Sequence, residues 1–249
     1  MSGFDDWLGR GLAHQREGRP VDAMWCFRRA VRLQPSSADA HFLLGDTLWR
    51  LGRRDEARTA WTEAIAADPR HEPAHSALAD ALLVSLDAEG ARTAADRALA
   101  AFPDRARFVL VRAIASLLGP ESADDAALAA AGLAIARDPQ LLASPSLALP
   151  LALALDRAPA CGARSALLAQ LAGMPQLLRI APPLLLALVL EDADLSPTHG
   201  ALAALGVERN YAPADHDALR RVAAASLRLD AASGHELATR YATLCVAVF

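Results

Sequence analysis

Three observations predict an all-α fold for this chain. Ala and Leu dominate a sequence that is 53% apolar, while Ile, Thr and aromatic residues are scarce. Ala and Leu lose little entropy in a helix, whereas β-branched residues lose more. Pro35, Pro69 and Pro103 recur at intervals of 34 residues, and Pro139 follows after 36. Such a period marks a repeated supersecondary unit, and at this length it fits a pair of antiparallel helices. Small residues keep step with the prolines in several columns, as stacked helices require.

Within each unit the first helix carries a small position at Gly11, Gly45, Ala79 and Ala113. The second carries two, at Ala23, Ala57, Ala91 and Ala127 and at Ala30, Ala64, Ala98 and Ala134. Small residues let neighbouring helices approach closely, and Phe27, Trp61, Leu44 and Leu78 fill the remaining gaps as knobs. Gly18 and Gly52 stand where a first helix needs a left-handed residue to end. Each proline ends a second helix and sets the turn into the next unit. No unit buries its faces alone, so stability accumulates by stacking.

The stretch from His41 to Pro69, HFLLGDTLWRLGRRDEARTAWTEAIAADP, carries the pattern most fully. With Leu44-Gly45, Gly52, Ala57, Trp61, Ala64 and Pro69 in place, it resembles one tetratricopeptide repeat (TPR). The resemblance covers about residues 4 to 139 as four repeats, and implies an α-solenoid of antiparallel helix pairs. Arg10 and Arg112 stand where the family prefers Leu, and Ala95 and Ala131 where it prefers a bulky aromatic. Repeats 1 and 4 are therefore read as degenerate, the fourth with an insertion of two residues near Gly119-Pro120.

Beyond Pro139 the ruler fails, which divides the chain into an array over 1–139 and a helical region over 140–249. Pro145, Pro150, Pro159, Pro175, Pro182-Pro183, Pro197 and Pro213 punctuate short Leu/Ala-rich segments. Ser196-Pro197 reads as a cap with a first-turn proline, and Ser233-Gly234-His235-Glu236 as a capping box opening a last helix. Asp217 to Leu229 is amphipathic, with Leu219, Val222, Ala223 and Leu227 on one face. These segments are expected to be further short stacked helices, either decayed repeats or a small bundle.

The resemblance also implies a function, since the family holds ligands on a concave face lined by the first helices. Its inward positions here are Leu8, Leu12 and Arg16; Phe42, Asp46, Trp49 and Arg50; Ser76, Asp80 and Leu83; and Leu110 and Ile114. Their spacing of three or four residues puts each group on one helical face, where groove and packing positions adjoin. Trp49 beside Asp46 and Arg50 is the strongest point, an aromatic anchor with polar neighbours. The Lys and Asn of a carboxylate clamp are absent, Leu8, Leu12, Asp46 and Asp80 standing in those positions.

Other classes of function find little support. The net charge is −4 with no basic block, which disfavours nucleic acid. All 25 basic residues are Arg, matching the codon bias of a GC-rich bacterium and excluding lysine chemistry. Cys26, Cys161 and Cys245 are widely spaced and fit buried thiols rather than disulfides or a metal site. The acidic start, with Asp5 and Asp6, does not suit a signal peptide, and the apolar run from Leu184 to Leu190 is too short for a bilayer. A cytoplasmic protein without membrane contact is expected.

One catalytic motif occurs: His71-Glu72-Pro73-Ala74-His75 matches H-E-x-x-H. Zinc chemistry needs both histidines on one helical face, yet these residues begin in the turn after Pro69, and His75 shares a packing column with Trp7 and His41. No metal or cofactor is expected, and no catalytic residue. The reading is a scaffold that grips a peptide or helix of another protein with apolar and basic features. The alternative is the substrate-recognition region of a larger enzyme, such as a bacterial protein glycosyltransferase with a TPR array, to which the apolar ending Tyr241–Phe249 adds a hint.

Overall fold

The computed structural model describes residues 3–119, 125–158 and 161–172. The first eight helices form four antiparallel pairs: α1 (Gly3–Arg16) with α2 (Pro20–Leu33), α3 (Ala38–Arg50) with α4 (Arg54–Ala67), α5 (Glu72–Val84) with α6 (Ala88–Ala101), and α7 (Ala106–Leu118) with α8 (Asp125–Arg137). A 3-10 turn (Pro139–Ala143) then leads to α9 (Pro145–Arg157) and α10 (Gly162–Ala172). Each pair stacks on the next, because α2 packs on α3, α4 on α5 and α6 on α7. The described chain is thus an all-α solenoid, as the sequence predicts.

The same local chemistry closes every second helix. Gln34, Asp68, Phe102 and Asp138, each preceding a proline, lie at φ −139°, −138°, −137° and −144°. A following proline pushes its predecessor out of the helical region, which stops the helix there. The amides of these four residues donate to the carbonyls of Ala30, Ala64, Ala98 and Ala134. One small column therefore both allows close packing and anchors the terminal turn.

The turns inside the pairs also repeat. Gly18 and Gly52 adopt φ +71° and +76°. The amides of Arg19 and Arg53 reach back to the carbonyls of His14 and Leu48, both at 2.9 Å, satisfying orphan carbonyls at the helix end. Leu86, one period after Gly52, takes the same left-handed conformation at φ 56°, and Asp87 donates to Leu82 O at 3.0 Å. Stacking thus imposes the turn on a residue that does not favour it. Asp87 compensates locally by capping α6, its Oδ1 accepting from the amide of Gly90 at 2.9 Å.

The small columns are buried throughout, and they are matched to their partners. A Cβ on Gly11 would sit 2.4 Å from the Phe27 ring, and one on Gly45 would sit 2.6 Å from the indole of Trp61. Where Ala79 and Ala113 replace these glycines, the facing positions are Ala95 and Ala131, all four buried. A ring across the helix pair demands glycine, whereas a methyl tolerates a methyl. The changes in repeats 3 and 4 are therefore paired on both helices.

Past α8 the regular stacking changes. As the first helix of a fifth repeat, α9 would pack on α8; instead it packs on α5 and α7, the first helices of repeats 3 and 4. The 3-10 turn and α10 are what touch α8. Leu147, Leu151 and Leu155, one turn apart along α9, are fully buried in the same core as Leu110 and Ile114. The expectations at Pro120, Ser196-Pro197, Asp217–Leu229 and Ser233–Glu236 lie outside the described residues, as do Leu184–Leu190, Cys245 and the Tyr241–Phe249 ending.

Candidate functional site

The inner face is built by α1, α3, α5 and α7, and it has two halves of different character. In the first half, Leu8 and Leu12 of α1 and Phe42 and Asp46 of α3 are half-buried, while Arg16 and Arg50 are exposed. Leu8, Leu12, Phe42 and Trp49 rest on the core with one side still open. Ser76 and Asp80 continue this surface onto α5, both half-buried.

Trp49 is held rather than loose. Its ring lies 5.7 Å from that of Trp61, tilted at 45°, and the Arg54 guanidinium lies 5.5 Å from its centroid. Such contacts fix an aromatic side chain before any partner arrives. Phe42 similarly lies 5.2 Å from the His71 ring. Asp46 accepts from the Gln15 side-chain amide at 3.1 Å, a neutral partner from the preceding repeat that leaves its charge uncompensated.

The second half differs from what the sequence leads one to expect. Leu83, Leu110 and Ile114 are fully buried, on the two helices against which α9 packs. The expectation of an open lining at these three positions does not match the geometry of the closed chain. Asp80 differs too, since its charge is paired with Arg107 of α7. The same oxygen, Oδ2, also accepts from Ser146 Oγ of α9 at 2.8 Å.

The histidines of the H-E-x-x-H stretch are engaged in scaffolding. His71 caps α5, its Nδ1 accepting from the Ala74 amide at 3.1 Å. That tautomer leaves Nε2–H to donate to Asp39 Oδ1 at 3.1 Å. His75 is buried, with Nε2 3.0 Å from the Pro69 carbonyl and the rings of Phe102 and Phe108 beside it. One period earlier, His41 makes the equivalent contact with the Pro35 carbonyl at 2.9 Å. The two histidines therefore tie a first helix to the proline turn before it, a role the sequence shows only as a shared column. Among the described residues no group of three or more His, Cys, Asp or Glu is placed to hold a metal ion.

Burial pushes the His75 imidazole below its ordinary range; the Pro69 carbonyl opposes this and Arg97 adds to it. An unfolded histidine takes its proton near pH ~6.5. Below that pH the unfolded state binds more protons than the folded one, so stability falls as pH falls and gains nothing from this group above it. The urea midpoint should therefore drop between pH ~7.5 and ~5.5 in the native chain and drop less in His75→Phe. Parallel curves would remove His75 from the account.

Comparisons with known proteins agree with this geometry. The fold defines a helical-repeat protein. More specifically, the family model for the tetratricopeptide repeat matches residues 8–72 and, overlapping, 43–86. This stretch is a TPR array. Among solved structures, a TPR protein from Parabacteroides merdae aligns at 14% identity, covering 98% of this chain and 91% of that one, with a TM-score of 0.56. A double mutant of MamA (RS-1) aligns at 17% over 68% of this chain and 93% of its own, TM-score 0.56. PilW, described as a widely conserved type IV pilus biogenesis factor, aligns at 16% over 86% and 96%, TM-score 0.53. Identities this low establish a shared fold. No curated protein matches the sequence. No helix among the described residues is long and apolar enough to cross a membrane.

Proposed function

We propose that this chain is a non-catalytic scaffold that binds a peptide or helix of another protein on the open half of its inner face. The observation that carries the reading is the continuous half-exposed surface of Leu8, Leu12, Phe42, Asp46 and Trp49, resting on a rigid core. Apolar side chains supply contact area there, and the fixed indole of Trp49 supplies an anchor. Arg50 and Ser76 border this surface with polar groups.

Charge gives the binding its preference. Asp46 has an amide rather than a cation for a partner, so it favours a ligand with Lys or Arg beside its apolar residues. Asp80, already paired with Arg107, contributes less. Ligands selected from a random peptide library against the native chain should be enriched in such residues. Asp46→Arg should weaken those ligands about tenfold and, on reselection, favour acidic ones. Unchanged affinity and unchanged selection would remove this face from consideration.

A further inference from the structure

The departure of α9 from the stacking register points to the chemistry of a ligand. As the first helix of a fifth repeat it would lie against α8, yet it lies across α5 and α7. Those two helices carry the positions that in the first two repeats form the open groove. Their groove residues Leu83, Leu110 and Ile114 are fully buried, whereas Phe42 and Asp46 remain half-exposed. A helix therefore already occupies part of the concave face.

The occupant has a defined character. Leu147, Leu151 and Leu155 form one stripe of α9 and Ala148 and Ala152 an adjoining one, all fully buried. At the N-terminal end, Ser146 Oγ donates to Asp80 Oδ2 at 2.8 Å and lies 2.7 Å from Ser144 Oγ. The face thus accepts Leu and Ala along its length and a hydroxyl at Asp80. It receives a helix rather than an extended strand.

Two features make this occupant replaceable. The polar end is incompletely satisfied, because Asp80 Oδ1 and Arg107 Nε are buried without hydrogen-bond partners among the described residues, and a half-satisfied network is a weak clasp. Pro150 lies inside α9, where it lacks an amide to donate and weakens the helix. We infer that α9 is an internal occupant of the concave groove, and that a partner's amphipathic helix with a Leu/Ala stripe binds the α5–α7 face by displacing it. This rests on the reading of the inner face as the binding surface, and adds the class of partner and an internal competitor.

A fluorescent synthetic peptide of residues 144–157, SPSLALPLALALDR, tests the inference on the 249-residue chain. A control peptide has the leucines of its buried stripe changed to serine. Leu151→Glu in the chain should expel α9, so the native peptide should bind this variant at least tenfold more tightly than the unaltered chain. Ser146→Ala, which removes only the hydroxyl clasp, should give a smaller gain in a chain that keeps its full helicity, and the control peptide should bind none of them. Equal binding by the unaltered chain and Ser146→Ala, or no binding by Ser146→Ala, overturns the inference, including the case in which Leu151→Glu fails to fold. Library ligands that depend on Asp46 while this peptide gains nothing would leave the open-half reading standing and end the internal-occupant one. The reverse pattern would do the opposite.

Discussion

Trp49→Ala should lose at least about 2 kcal/mol of affinity, roughly thirtyfold, for a ligand selected on the native chain. Trp49 stands on the inner face of α3, one turn from Asp46, and its ring is already fixed by Trp61 and Arg54. A pre-ordered aromatic loses little freedom on binding, so most of its contact area contributes to affinity. Because the ring also leans on Trp61, removal costs the fold about 1–2 kcal/mol as well, mostly the aromatic pair and partial burial. Binding should therefore be measured well below the variant's melting temperature, alongside its denaturation curve. A folded Trp49→Ala chain that binds as before would exclude Trp49 as the anchor and shift attention to the α5–α7 face.

Gly45→Val should destabilise the chain by about 2–3 kcal/mol. A Cβ there meets the Trp61 indole at 2.6 Å and the Ala57 carbonyl oxygen at 3.1 Å. The carbonyl belongs to the helix backbone and cannot step aside, and the ring is enclosed, with Trp61 2% exposed. Valine favours a helix over glycine by only a few tenths of a kcal/mol, far less than the overlap costs. Equivalent change at Ala79, Ala79→Val, faces Ala95 rather than a ring and should cost less. A urea denaturation series on both variants checks the order, and equal midpoints would contradict the ring-to-glycine pairing.

The array was legible because its constraints are local and repeat. A proline forces the residue before it out of the helix, and a close crossing forces a small side chain, so both leave marks at fixed spacing. The left-handed Leu86 left none, since the turn there is imposed by its neighbours and its sequence carries no glycine. The candidate surface was legible only in part. Phe42, Asp46 and Ser76 lie on the inner face at partial exposure, and their helical spacing suffices to place them there. Leu83, Leu110 and Ile114 carry the same spacing but are buried, on helices against which α9 packs, and the Leu and Ala residues of α9 do not reveal which helices they will meet. Pairing of Asp80 with Arg107 and Ser146 was hidden for the same reason, because it joins separate elements.

The hydrogen bond from Ser146 to Asp80 spans 66 positions of sequence, in an architecture whose contacts otherwise run mostly between adjacent helices. A stack of neighbours comes apart from its ends, each unit holding only the next. A long-range tie changes that, since closing so large a loop has an entropic cost that is recovered only when everything inside it is in place. While α9 is seated, helices α5 to α9 are therefore held as a closed loop, and its displacement returns them to nearest-neighbour stacking. The pairs α1–α2 and α3–α4 have no such tie and are held by the helices next to them, so the half of the inner face that carries Trp49 depends on neighbour contacts alone.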